Sequence, residues 1–542
     1  MEAPEPTEKQ PEQGRMEVRE GGFSIINPAT GEKMGEHPLM GPKEVAGVID
    51  QARRAFPVWS ETPFSTRAKI FRRAAGYLAE NAERYARIVC SETGKTQLDA
   101  LLAEIFPTCD LLHYYAKKSW KFLRPVKVGG SMVLPGRRAY YTFEPRGVVG
   151  IIAPWNYPFT LASGPVISAL AAGNTVVLKP SSQTTASGKV LEEIFKAAGL
   201  PDQVLQVVTG SGSVTGRALI ENRDVDMLVF TGSTEVGIEV SQAAARNLVP
   251  AVMELGGKDS MIVTRNADLE RAAHAAVWGS FFNSGQTCTG VEFCFVQRPI
   301  YAAFLSRVLT IAGEIESGTL TGQVGSMTME AQVRILEDQI EDAVAGGAQV
   351  QKGGTRVDSG EGLFFSPTVI TGIQPEMKIW REETFGPILP VVAFDTPDEA
   401  IRMANSTQYG LGGSVFSEDM EEARMYASRM ETGSVNINDC LVTYAFPSLP
   451  FGGAKTSGVG YYHGEQGIRN FCRVKSMTEF KGMYSKEFFH YPVSARVKEA
   501  MEALLVLLYS ESMRARWRAL PKTTGIAGEL IRGIWAKLRR KS

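Results

Sequence analysis

Cys288 lies in the run Asn283-Ser284-Gly285-Gln286-Thr287-Cys288-Thr289-Gly290. Small neighbours let a carbonyl carbon approach the sulfur, and nearby backbone N–H groups can hold the oxyanion that forms. Such a thiol suits nucleophilic catalysis; a buried structural cysteine, the commoner fate of a free thiol, is the other reading. Cys294, in an apolar strand pattern, illustrates that fate. Glu254 closes a Val-Met run and precedes Leu255-Gly256-Gly257-Lys258, where backbone can come close to a ligand. Partial burial there raises a carboxyl toward working pH, as a general base requires. A solvated turn glutamate is the alternative.

Phe230-Thr231-Gly232-Ser233-Thr234-Glu235-Val236-Gly237 follows an apolar run and opens a helical stretch. A small-residue turn at a helix N-terminus binds phosphate through free N–H groups and the helix dipole. Thr234 stands where G-x-G-x-x-G has its middle glycine, so the turn alone is a weak signal. Asn156, in Pro154-Trp155-Asn156-Tyr157-Pro158, follows a predicted strand and can donate its amide to a developing oxyanion. Lys179, in Lys179-Pro180-Ser181-Ser182, ends the next strand and can reach a ribose or phosphate. A plain loop reading stays open for each.

The elements that must position these residues follow one pattern. Apolar runs at Val148–Ala153, Thr175–Leu178, Leu205–Thr209 and Met227–Thr231 alternate with helical stretches near Leu161–Ala172 and Ala186–Ala198. That alternation predicts βαβ units around a parallel sheet covered on both faces. Asp259–Val263 and Glu292–Val296 flank a predicted helix over Ala267–Phe282, and Ile388–Phe394 with Asp398–Ala404 continues a second α/β unit. Arg137–Phe143 and Lys475–Phe480 read as short arms, either surface hairpins or strands that add to a partner's sheet edge.

Composition narrows the function classes. In 542 residues, 44% hydrophobic and 22% charged content allows a large core. A net charge of -1 gives no global basic field for nucleic acid. Six cysteines cannot make a secreted disulfide scaffold, and with no C-x-x-C pair and no H-E-x-x-H no metal site is expected. The first residues are rich in Pro, Glu and Gln without an apolar core, so no signal peptide is read and a cytoplasmic location is expected.

The order of these motifs resembles the aldehyde dehydrogenase superfamily from about Phe23 to Gly482. Glu382-Glu383-Thr384-Phe385-Gly386-Pro387 and Pro450-Phe451-Gly452-Gly453-Ala454-Lys455-Thr456-Ser457-Gly458 extend the resemblance. It implies an α/β fold: a Rossmann-like cofactor domain, a second α/β catalytic domain and a small β oligomerisation arm. It implies that Cys288 is the nucleophile, that Asn156 and the Cys288 backbone N–H hold the oxyanion, and that Glu254 activates the hydrolytic water. The cofactor-binding set it implies is Trp155, Lys179, Ser182, Gly232, Ser233, Gly237, Leu255, Glu383 and Phe385, for NAD or NADP. Ser182 departs from the glutamate common in strict NAD users, which removes a repulsion against a 2′-phosphate, so NADP is expected to be accepted. Trp155, Tyr157, Phe159, Phe282 and Phe451 are candidate pocket walls favouring an apolar aldehyde, aliphatic or aromatic. An acylating semialdehyde dehydrogenase using coenzyme A and an idle scaffold are the alternatives; Glu254, and the four motif residues together, count against them.

The expected domains are a disordered tail at 1–22, a dinucleotide-binding domain at 23–125 and 147–256, a catalytic domain at 257–449, and an arm at 126–146 and 450–482. A homodimer or homotetramer is expected. The remaining 483–542 is an amphipathic basic extension resembling membrane-associated fatty-aldehyde-type members. Ala500–Tyr509 is apolar but too short to span, and Ile526, Leu530, Ile531, Ile534, Trp535 and Leu538 share a helical face near Arg532, Arg539 and Arg540. Such a helix lies on a membrane surface, docks on a subunit or on the substrate funnel, or is a free tail.

Overall fold

A computed structural model describes residues 16–526 and 528, apart from residues 20, 132, 133, 135, 320, 483–486 and 494. By internal contacts the chain forms two units, Met1–Leu123 with Glu144–Arg473, and Arg124–Phe143 with Val474–Ser542.

The alternation of apolar runs and helices in the first unit builds a six-stranded sheet. Its spatial order is Gly458–Val459, Ala251–Glu254, Met227–Thr231, Val148–Ile152, Thr175–Lys179, Leu205–Val207. All neighbours are parallel except the short Gly458–Val459 edge, which runs antiparallel to Ala251–Glu254. The chain starts at Val148–Ile152, builds outward to one side, then returns to build the other. The carboxyl ends of Val148–Ile152 and Met227–Thr231 therefore flank a topological switch point, where open α/β sheets hold their ligands.

A seven-stranded sheet follows, in the order Gln349–Lys352, Thr368–Thr371, Ile388–Phe394, Val291–Gln297, Asp259–Val263, Gly413–Phe416, Asn436–Ile437. Successive residues of its strands enter opposite cores. Ile262, Phe293 and Phe295 pack with Leu336 and Ile340, whereas Met261, Val263, Cys294 and Val296 pack with Ala276 and Phe304. The period of two explains why these strands are apolar on both faces. Cys294 is indeed a core residue, fully buried.

The helix Thr160–Ala172 is buried at every position and stops at Gly173 in the left-handed region, φ 100°. In the second unit, Cys472–Phe480, Arg137–Pro145 and Val126–Val128 form a three-stranded sheet in that order, so the two sequence-predicted arms are neighbours within one chain. The helix Ala495–Tyr509 covers the predicted Ala500–Tyr509, and a second helix spans Met513–Ala519. Among the described residues, no helix is long and apolar enough to cross a membrane. The predicted helical face at Leu530–Leu538, its arginines and most of the predicted N-terminal tail lie outside the described residues.

Candidate active site

Three backbone features bring the candidate residues together. Asn283 and Ser284 are left-handed, φ 54° and 56°, and Gly285 follows at φ 71°. A side chain at Gly285 would meet the Gly386 carbonyl at 2.1 Å, so only glycine lets this turn close on the Glu382–Pro387 segment. The chain then passes Cys288 on its way into the strand Val291–Gln297. From the other sheet, Gly257 packs against the Cys288 backbone so closely that a Cβ there would lie 2.1 Å from the Cys288 carbonyl oxygen. The glycines after Glu254 thus let a carboxylate-bearing strand end and a cysteine loop share one place.

Cys288 borders two cavities. One, of about 290 Å³, is lined by Trp155, Asn156, Gly232, Ser233, Glu254, Leu255, Cys288, Glu383 and Phe385, among others. The other, of about 170 Å³, has walls that include Leu102, Tyr157, Trp278, Phe282, Leu441, Tyr444 and Phe451. Of the twelve residues proposed from sequence, nine thus meet at the larger cavity. Lys179, Ser182 and Gly237 stand apart from it. Lys179 ends the strand Thr175–Lys179 and donates to the Pro180 carbonyl at 3.1 Å, while Ser182 is buried in the turn Ser182–Thr184. Gly237 has a packing role: a Cβ there would strike the Leu255 side chain at 2.4 Å.

The charges in this place are strongly perturbed. Glu254 is buried, neither carboxylate oxygen has a hydrogen-bond partner, and burial holds the carboxyl well above the ordinary carboxylate range. Burial also pushes the Cys288 thiol far up, with further repulsion from the carboxylates of Glu383, Asp259 and Glu254. Glu383 accepts the Gly257 N–H at 2.8 Å, and burial, with Glu292 nearby, raises its carboxyl. Ser233 caps the helix Thr234–Asn247 by accepting the Val236 N–H, which leaves the turn at the mouth of a helix N-terminus. Trp155 and Phe385 meet edge to face, ring centroids 5.5 Å apart.

Asn156 is held by residues that the sequence reading missed. Its amide donates to the Gln286 carbonyl at 3.1 Å. Its backbone carbonyl accepts from Lys95 Nζ at 2.8 Å and from the Asn283 side-chain amide at 3.1 Å. Lys95 pairs with Glu104 at 2.6 Å, both side chains fully buried, and lies 4.2 Å from the centroid of the Tyr157 ring. Glu104 in turn accepts the Phe159 and Thr160 N–H groups where the helix Thr160–Ala172 begins. A second buried pair, Lys258–Glu292 at 2.7 Å, fixes the Thr384 and Phe385 N–H groups through Glu292. The one signal available was Glu104 itself, a carboxylate set among Leu101, Leu102, Ala103, Ile105 and Phe106.

Of the candidate aromatic walls, Tyr157, Phe282 and Phe451 line the smaller cavity and Trp155 the larger. Phe159 is core and lines neither. Trp278 and Tyr444, not foreseen from sequence, complete the aromatic wall.

Residues 16–477 match the sequence model of the Aldehyde dehydrogenase family. A 4,4'-diapolycopene aldehyde oxidase of Methylomonas sp is 39% identical over 499 residues, covering 92% of this chain and 93% of that protein. The crystal structure of an NAD-dependent aldehyde dehydrogenase from Sinorhizobium meliloti superposes with TM-score 0.82 at 34% identity, over 86% of this chain and 92% of that one. That of an NADP dependent enzyme of E. coli gives TM-score 0.81 at 33% identity, over 85% and 95%.

Proposed function

The chain belongs to the aldehyde dehydrogenase family, and on that footing we propose that it oxidises an apolar aldehyde to the carboxylic acid through a thioester on Cys288. The observation that carries this reading is the position of Cys288 in the walls of both cavities. Cys288 then borders an apolar chamber on one side and, on the other, a chamber with a helix N-terminus, two aromatic rings and the carboxyls of Glu254 and Glu383.

The second chamber suits a dinucleotide. Gly232 and Ser233 stand at a helix N-terminus for the pyrophosphate, Glu383 can accept from ribose hydroxyls, and Trp155 and Phe385 offer flat apolar walls. Lys179 and Ser182 belong to the adenosine end, and because Ser182 carries no charge the chain accepts NADP as well as NAD. Absence of NADP turnover alongside NAD turnover would remove that part. NAD or NADP, when bound, supplies the acceptor for the substrate's hydride.

The chain's own residues do the rest. The Cys288 thiol gives up its proton to solvent, its sulfur forms a bond to the aldehyde carbon, and the carbonyl oxygen takes up negative charge beside the Asn156 amide and the Cys288 N–H. Loss of hydride from that carbon leaves a thioester. Glu254 takes a proton from water as the water adds to the thioester carbon; the C–S bond breaks, freeing the acid, and the leaving sulfur takes the proton from Glu254, restoring both thiol and carboxylate. Mixing the protein with an aldehyde and either cofactor should give stoichiometric acid and NADH or NADPH. Cys288→Ser should lower the rate at least a thousandfold, and undiminished acid formation by that variant would end the proposal. The second unit we assign to assembly of a homo-oligomer and to contact with a lipid surface, the latter resting on exposed Met513, Trp517 and Leu520.

A further inference from the structure

The chamber on the aldehyde side is small. Its volume of about 170 Å³ lies below the ~300 Å³ at which pockets begin to enclose a whole small ligand. It has room for a carbonyl and a short piece of chain, and none of its lining residues carries a charge. A substrate ending in a carboxylate finds no partner there.

Leu102 and Trp278 belong to this lining and also reach the surface, 50% and 38% exposed. Four residues before and after Leu102 stand Leu98 and Phe106, exposed 71% and 70%. The three follow one another on successive turns of the helical stretch made by Gln97–Ala100, Leu101–Ile105 and the start of Phe106–Leu123, and so share a face. The polarity of this stretch is partly inverted, although Ala100 and Ile105 are buried as usual. Asp99 and Glu104 point inward, 6% and 0% exposed, while the leucines and phenylalanine point into water. Folding alone does not favour that arrangement, and a contiguous exposed apolar strip marks a binding surface.

We propose that Leu98, Leu102 and Phe106 form an outer subsite for the apolar tail of the substrate. The inference rests on the aldehyde reading above and narrows it to aldehydes with a hydrocarbon chain longer than the inner chamber. The occupant follows from continuity: Leu102 is at once wall of the chamber and middle of the strip, so a tail that outgrows the chamber leaves along it. Each methylene fully removed from water is worth about 0.8 kcal/mol, or roughly fourfold in kcat/KM. Half-wet seating on a rim gives about twofold each.

The test compares hexanal with dodecanal, each below its solubility limit, using the full-length protein and either cofactor. The ratio of their kcat/KM values should favour dodecanal at least tenfold. It should fall at least fivefold in Leu98→Ser/Phe106→Ser, whose sites are exposed and leave the core intact, and recover in Leu98→Met/Phe106→Leu. A ratio at or below one in the unaltered protein, or one that the serine pair does not move, overturns the subsite. So does loss of binding to phosphatidylcholine vesicles by the serine pair with the ratio intact, because the strip then seats on lipid. No NADH or NADPH from either aldehyde would strike the aldehyde reading itself, and the subsite with it.

Discussion

Glu254 keeps both carboxylate oxygens buried without a hydrogen-bond partner, which costs stability unless the carboxyl is neutral. A carboxyl kept neutral in that way must first lose its proton to act as a base, and once ionised it takes a proton readily. Its carboxyl and the Cys288 thiol are both pushed upward, chiefly by burial. In the proposed mechanism each acts in its deprotonated form, so both shifts move activity the same way: turnover should rise steadily from neutral into alkaline pH and fall as acid reprotonates the pair. Glu254→Gln should lower kcat by about 10²–10⁴ and leave a stoichiometric burst of NADH or NADPH with a thioester that mass spectrometry detects on Cys288. Full turnover by that variant would exclude Glu254 as the base. Sequence picks out Glu254 because it closes an apolar run before two glycines, Asn156 because it follows an apolar run in a Pro-Trp-Asn-Tyr-Pro turn, and Cys288 because its neighbours are small. Lys95 was not, since one lysine near a helix looks like any solvated cation; only the fold shows that it is buried on Glu104.

The parallel strands could be read from sequence because a strand covered on both faces is an unbroken apolar run, whereas the turn that delivers Cys288 could not. Asn283 and Gly285 are residue types that tolerate the left-handed region, but nothing in the sequence announces three such residues in a row, and the packing of Gly285 against Gly386, far along the chain, is visible only in the fold. The helix Thr160–Ala172 has no polar face to betray its orientation, and its start is set by Glu104 from another element. The buried Lys95–Glu104 pair therefore couples a helix start to the Asn156 carbonyl. Lys95→Met should destabilise the protein by about 3–5 kcal/mol by stranding a buried carboxylate, measured by denaturant melting. Lys95→Met/Glu104→Leu, which removes both charges, should recover most of that loss. If Lys95 also acts through Asn156, its effect on the rate of the burst should vanish in an Asn156→Ala background, whereas a purely structural role would be additive.

At the scale of the whole chain, the first unit carries both large sheets and the candidate site, and the second carries the arm sheet and the C-terminal helices. The sequence alone gave the basic apolar character of the extension; the structure shows where part of it is displayed. In Met513–Ala519 and the following turn, Met513, Trp517 and Leu520 recur at helical spacing with 61%, 69% and 46% exposure. Arg514 and Arg518 are exposed close beside that line, as is Lys522, which pairs with Glu499 at 3.4 Å. An apolar stripe with a tryptophan, flanked by cations, meets the requirements of an anionic bilayer interface, where each cation contributes about 1 kcal/mol. Full-length protein should sediment with phosphatidylglycerol vesicles at low salt and less so near molar salt, because surface charges are screened. Arg514→Gln/Arg518→Gln should weaken binding roughly thirtyfold, from about 1 kcal/mol for each cation. Trp517→Ser should weaken it at any salt, because its share comes from burial of the ring and not from charge. Equal sedimentation of all these variants with the unaltered protein would show that the stripe serves a protein partner or none, and the lipid contact would fall while the chemistry at Cys288 stood.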